Sequence, residues 1–291
     1  MTHNSDIATF NRIENNRELH RIVEENNGNE SCVDIITTHI VPVLDAVLME
    51  RQQLIEKGSD ATLDDGDTLG TLARIATYYA LCGARQRQQG FDHSDAPEDQ
   101  NRIESERQSV HASVDYNIGP LATLKIEYSP RENLVRAAAF ILAEIECVDC
   151  ESTVSASTQD GGECYEGVAH ARVPLSLKAV LIEYQHQIES GCDAADDSDT
   201  PGNHAQAAAY YAFCAYWQRR KWNTNFDGLD EHECIEKERL SAIDCANFDI
   251  GYPWAHKTPD VKGSARENLV RAAALILAEI DRIDREKEAT A

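Results

Sequence analysis

The stretch RENLVRAAAFILAEI at residues 131–145 returns at 266–280 as RENLVRAAALILAEI, with Phe140 exchanged for Leu275 and nothing else changed. A repeat of this fidelity marks the chain as a tandem duplication. In the first copy Leu134, Ala137, Ala138, Ile141, Leu142 and Ile145 fall at i, i+3, i+4, i+7, i+8 and i+11, and Leu269, Ala272, Ala273, Ile276, Leu277 and Ile280 do the same in the second. That spacing predicts an amphipathic helix with one apolar stripe in each copy. Ser129 and Glu132, with Pro130 at the first helical position, supply a capping box, and Ser264 with Glu267 supplies the second.

The duplication extends upstream of both helices. Val41-Pro42 opens a helix to about Lys57 with Leu44, Val47, Leu48 and Ile55 on one face, and Val173-Pro174 opens its twin with Leu177, Val180, Leu181 and Ile188. Gly58 and Gly191 stop these helices, and acidic loops follow, Asp64-Asp65-Gly66-Asp67 and Asp196-Asp197-Ser198-Asp199. A further helix begins near Thr71 and near Asn203. Its small residues (Ala73, Ala76, Ala80; Ala205, Ala208, Ala212) allow close packing, and it carries Tyr78-Tyr79 or Tyr210-Tyr211. A polar stretch then repeats Ile103 to Arg107 as Ile235 to Arg239, and Tyr116 to Gly119 as Phe248 to Gly251. Only the second copy continues with Tyr252-Pro253-Trp254 and His256-Lys257.

No stretch alternates for long at strand period, so the expected fold is all-α: two tandem helical bundles of three or more helices, packed on each other as an intramolecular pseudo-dimer. The boundaries are an appendage at 1–40, a first repeat at 41–148, a Ser/Gly/Thr-rich linker at 149–172 and a second repeat at 173–291. The helices at 131–148 and 266–284 are expected near the pseudo-two-fold axis. Further homo-oligomerisation is left open by the sequence.

A net charge of −24 argues against nucleic acid as a partner, because phosphate contacts need clustered Lys and Arg. No run approaches the ~20 apolar residues of a membrane span, and Met1 to Phe10 is too polar for a signal peptide, which points to the cytoplasm and to no membrane partner. Nine cysteines cannot all pair within one chain, so reduced thiols are expected. Cys147-Val-Asp-Cys150 has a metal-like or redox-like spacing but no counterpart in the second copy, where Arg282 to Arg285 stand, and structural zinc wants a second ligand pair.

Two sets of duplicated residues bear chemistry. The acidic set offered to Mg²⁺ is Glu50, Asp64, Asp65 and Glu132, with Glu183, Asp196, Asp197 and Glu267 as partners. The same residues also read as helix caps and solvated loops. The basic set is Arg87, Arg131 and Arg136, with Arg219, Arg266 and Arg271, whose planar forks suit a phosphate but equally suit ion pairs. Tyr79 and Tyr211, with Trp254 and His256 in the second copy, complete the candidate ligand-binding set, although aromatics at helical spacing also build cores. No Gly-rich phosphate loop, Gly-x-Ser-x-Gly or His-Glu-x-x-His is present.

A first helix containing Glu50-Arg51-Gln52 and ending at glycine, a helix after an acidic loop, and a last helix reading Glu-Asn-Leu-Val-Arg-Ala-Ala-Ala together resemble small phage-type MazG-like, all-α NTP pyrophosphohydrolases. The resemblance spans about 43–148 and 174–286. It implies a dimeric nucleotide-binding fold fused into one chain, with Mg²⁺ on Glu-x-x-Glu and Glu-x-x-Asp pairs. The sequence departs from that pattern, running Glu50-x-x-Gln53, Glu183-x-x-His186, Glu132-x-x-Val135 and Glu267-x-x-Val270, with no paired Glu on the second helix. The leading expectation is therefore a non-catalytic protein that sequesters a nucleotide or a nucleotide-derived immune signal and requires no cofactor, in the host cytoplasm if phage-encoded. One alternative is a Mg²⁺-dependent nucleoside triphosphate pyrophosphohydrolase. Another is a structural or partner-binding helical protein.

Overall fold

In a computed structural model, the structure describes residues 21, 36–56, 70–89, 129–157, 175–189, 200–219, 231–254 and 258–290. Seven α-helices and a short π-helical turn, with no strand, make up the regular structure among the described residues. The π turn Ile36–Ile40 leads into α1 (Val41–Glu56), followed by α2 (Thr71–Gln88), α3 (Pro130–Ser157), α4 (Leu175–Glu189), α5 (Asn203–Arg219), α6 (Glu231–Asp249) and α7 (Ala265–Thr290). None of the helices described is long and apolar enough to cross a membrane.

The repeated stripes become the core. Leu134, Ala137, Ala138, Ile141, Leu142 and Ile145 of α3 are buried, as are Leu269, Ala272, Ala273, Ile276, Leu277 and Ile280 of α7. Each long helix packs on the tyrosine-bearing helix before it, α3 on α2 and α7 on α5. α2 also packs against α5, and α3 against α7, so these four helices share one hydrophobic cluster. Ala73, Ala76 and Ala80 on α2 and Ala205, Ala208 and Ala212 on α5 are fully buried, which lets two crowded helices approach closely. α1 flanks α3, α4 flanks α7, and α6 covers α5.

The helix starts are set by local chemistry. Ser129 Oγ accepts the Glu132 N–H at 3.4 Å, and Ser264 Oγ accepts the Glu267 N–H at 3.3 Å while donating its hydroxyl to Glu267 Oε2 at 2.6 Å. α2 starts differently: Gly70, at φ 81°, offers no side-chain cap. The buried Glu144 carboxylate of α3 accepts hydrogen bonds from the Gly70 and Ala73 backbone instead. At the start of α5 the Gly202 N–H donates to Glu279 Oε1 at 3.1 Å. A carboxylate at a helix N-terminus faces the positive end of the helix dipole, so these two glutamates serve as distant caps.

Three features differ from the sequence expectation. α3 continues through 149–157, where the linker was expected to begin, and there Asp149 and Glu151 hold Arg266 and Arg219. α6 forms from the duplicated polar stretch that suggested no element. It buries only the small residues Ala242 and Ala246 completely, so its apolar signal is faint. The π turn belongs to the segment read as an appendage, yet its Ile40 is buried in the common core. The acidic-loop residues Asp64, Asp65, Asp196 and Asp197, together with His256, lie outside the described residues.

Candidate functional site

Two similar constellations are built from an outer helix, a tyrosine helix and a long helix. In the first, Arg136 of α3 donates from Nε to Glu50 Oε1 of α1 at 2.9 Å, and its guanidinium carbon lies 5.8 Å from the Tyr79 ring centroid on α2. Tyr79 is stacked on Phe140, with centroids 5.9 Å apart and the rings 6° from parallel. In the second, Arg271 of α7 donates from Nε to Glu183 Oε1 of α4 at 3.1 Å and lies 5.4 Å from the Tyr211 ring on α5. Its Nη1 also reaches Asp260, donating to the backbone oxygen at 2.6 Å and to Oδ2 at 2.9 Å. The Tyr211 hydroxyl accepts the Asp260 N–H at 3.2 Å. Burial opposes the Arg271 charge, but Asp260, Tyr211 and Glu183 more than offset it and leave its pKa above the ordinary arginine value.

The remaining candidate arginines tie helices together. Arg87, at the end of α2, pairs with Glu279 at 3.3 Å and Glu286 at 2.7 Å, both on α7. Arg219, at the end of α5, pairs with Glu144 and with Glu151 on α3. Arg131 of α3 makes a two-toothed contact with Asp284 of α7 at 2.7 and 2.8 Å, and Arg266 of α7 grips Asp149 of α3 at 2.5 and 3.1 Å. The tertiary structure thus separates residues that the sequence grouped. Arg136 joins Tyr79 and Arg271 joins Tyr211, whereas Arg87, Arg131, Arg219 and Arg266 meet acidic residues of the long helices.

Both tyrosine rings are largely buried, at 4% for Tyr79 and 3% for Tyr211, so their faces are committed to packing. Trp254 is half-buried, with its ring 5.7 Å from that of His204 and 5.4 Å from that of Tyr252. Of the acidic set, Glu50 and Glu183 accept from the arginines just described, and Glu132 and Glu267 are exposed in first helical turns. Among the described residues no three His, Cys, Asp or Glu side chains gather in a way that suits a metal ion. Cys147 and Cys150 form no disulfide and are exposed on α3. The surrounding protein and the nearby Glu144 carboxylate push the Cys147 thiol up to about 11, which disfavours the thiolate that metals bind.

Several residues at these sites carried a signal that sequence reasoning passed over. Asn133 donates to Gln86 at 2.8 Å and Asn268 donates to Gln218 at 2.8 Å, all four side chains being buried. They are identical in both copies and sit among apolar neighbours, which is the mark of a matched buried polar pair. Asn268 and Gln218 also hold the backbone of Lys262, and Gln206 holds the carbonyls of Ile250 and Gly251, so the segment around Asp260 is moored to α5 and α7. Asp260 has no such duplicated signature. Comparisons with protein-family models, with curated proteins and with solved structures give no match to this chain.

Proposed function

We propose that the chain is a pair of helical repeats packed as a pseudo-dimer, and that it binds a nucleotide or nucleotide-derived immune signal without cleaving it. Reciprocal contacts support the pairing. Arg87 meets Glu279 and Glu286 while Arg219 meets Glu144 and Glu151, and Arg131 meets Asp284 while Arg266 meets Asp149. An interface in which residue i meets j and the counterpart of j meets the counterpart of i is what a two-fold relation produces.

The observation that carries the ligand reading is the twice-built Arg–Tyr–Glu constellation at Arg136, Tyr79 and Glu50 and at Arg271, Tyr211 and Glu183. A guanidinium beside an aromatic ring and turned toward a carboxylate can exchange that carboxylate for a phosphate, which also offers two anionic acceptor oxygens on one atom. The resemblance in sequence supplies the class of ligand, a nucleotide. Absence of cleavage is supported by the use of Glu50 and Glu183, two of the carboxylates a Mg²⁺ mechanism would need, as arginine partners.

The complete pairing of the described candidate arginines favours a second reading, a helical scaffold that binds a protein partner and no small ligand. One experiment separates the readings: incubation with Mg²⁺ and a panel of nucleotides, separation of protein from free ligand, denaturation, and analysis of what is released. Intact nucleotide supports the proposal, and pyrophosphate with a monophosphate means an enzyme. Release of nothing rejects nucleotide binding in favour of the scaffold.

A further inference from the structure

We infer that Asp260 is an internal stand-in for the ligand's phosphate in the second repeat, so that the 258–264 segment blocks the Arg271–Tyr211 site until it is displaced. This rests on the nucleotide-binding reading and adds a regulation to it. The carboxylate and backbone oxygen of Asp260 both accept from Arg271 Nη1, at 2.9 and 2.6 Å, and its N–H donates to the Tyr211 hydroxyl at 3.2 Å. The guanidinium contacts are those an anionic ligand would make, while the phenol, which accepts from the Asp260 N–H here, would be free to donate to a phosphate.

The two partners differ in how easily they let go. Glu183 is mostly buried, at 22%, and belongs to α4, whereas the Asp260 side chain is 64% exposed and belongs to a segment without helix. Of the two carboxylates that Arg271 holds, the solvent-exposed one is the more weakly held and the easier for an anion from solution to replace. Lys262 donates to Asp260 at 2.7 Å and holds its carboxyl below the usual range, partial burial opposing and Arg271 assisting. The stand-in is thus an anion at neutral pH.

The repeats differ in sequence at this position. Counting back equally from Ser264 and Ser129, Asp260 corresponds to Lys125, and Lys262 to Glu127. These first-repeat residues lie outside the described residues. The blocking acid is therefore assigned to the second repeat alone, where Asp260 and Arg271 are both described.

The test compares the full-length protein with Asp260→Asn and Asp260→Asn/Arg271→Ala. Each variant is first checked for cooperative unfolding, then titrated calorimetrically with the four common ribonucleoside triphosphates and with inorganic pyrophosphate. Asp260→Asn should bind at least one probe about tenfold more tightly, or add a second site, and Arg271→Ala in that background should remove the gain. Hydrogen exchange should show the 258–264 backbone losing protection when the probe is added to the wild type. If the wild type binds a probe, Asp260→Asn changes nothing, and the segment keeps its protection, Asp260 is only a tether and the inference fails while the binding reading survives. If no form binds any probe, the binding reading fails and the inference with it.

Discussion

Glu144 and Glu279 hold the same place in the repeated motif, yet they titrate in opposite directions. Burial raises the Glu144 pKa, and Arg219 and the Gly70 and Ala73 backbone only partly counter it. Burial acts on Glu279 too, but His204 and Arg282 outweigh it and bring its pKa to about 2. Both added residues are peculiar to the second repeat, Arg282 standing where the first has Cys147. A depressed carboxylate contributes stability above its unfolded value of 4.5 and loses it as pH falls toward 2, a contribution on the order of 3 kcal/mol. A raised one favours the folded state below the unfolded pKa and loses that advantage as pH rises through the folded value. Urea unfolding followed from pH 7 down to pH 2 should therefore show a shallower acid limb for Glu279→Gln than for wild type. Glu144→Gln should compare better with wild type at pH 7 than at pH 4, and identical pH slopes for all three proteins would contradict both assignments. Gly202 offers a second check. Its φ is 91°, and a Cβ there would lie 2.6 Å from the Ala84 carbonyl oxygen, against 3.1 Å from the Tyr216 oxygen for Gly70 at φ 81°. The left-handed conformation costs an alanine about 1–2 kcal/mol, and the clash adds to that. Gly202→Ala should lower the urea midpoint by more than Gly70→Ala.

The helices differ in what fixes them. α3 and α7 are set by capping serines and long apolar stripes, so their starts and faces follow from local sequence. The segment between α6 and α7 is held instead by buried amides: Asn268 accepts the Lys262 N–H at 2.8 Å, donates to its carbonyl at 3.0 Å and donates to Gln218 at 2.8 Å. Removing that amide leaves buried partners unmatched, a cost of about 1–3 kcal/mol each when no water replaces it. Asn268→Ala should lower stability by at least that much and speed amide exchange across 258–264 more than across α3. Uniform acceleration throughout the chain would show that the amide supports the whole core and has no special hold on the segment.

Across the molecule, the proposed pairing of the repeats rests on ion pairs between helices distant in sequence. Arg131 and Asp284 are 26% and 32% exposed, a setting in which a two-toothed pair contributes about 0.5–1 kcal/mol at low salt. In a double-mutant cycle, Arg131→Asp and Asp284→Arg should each destabilise the fold, and the two together should recover part of the loss. The coupling should shrink with added salt. Arg266 and Asp149 should behave alike, since they make the counterpart contact. Coupling in one pair and none in the other would count against the proposed two-fold pairing.

The helical class, the serine-capped starts of α3 and α7, and the buried stripes were legible in the chain, because local caps and a 3.6-residue period are written into consecutive residues, whereas the carboxylates that cap α2 and α5 come from distant helices. The repeated arginines were legible as a set, but their partners were not. A guanidinium reads the same in sequence whether it will meet a ligand or a carboxylate more than a hundred residues away, and only the approach of α7 to α2 and α3 put Glu279, Glu286 and Asp284 within reach of Arg87 and Arg131. The same holds for Asp260, an unremarkable acid in a loop until the mooring of its segment to α5 and α7 lays it against Arg271 and Tyr211. α6 stayed hidden for the opposite reason: two buried alanines, the half-buried Ile243 and Cys245 and hydrogen bonds from Tyr210 seat it on α5, and so small an apolar face leaves almost no period to read.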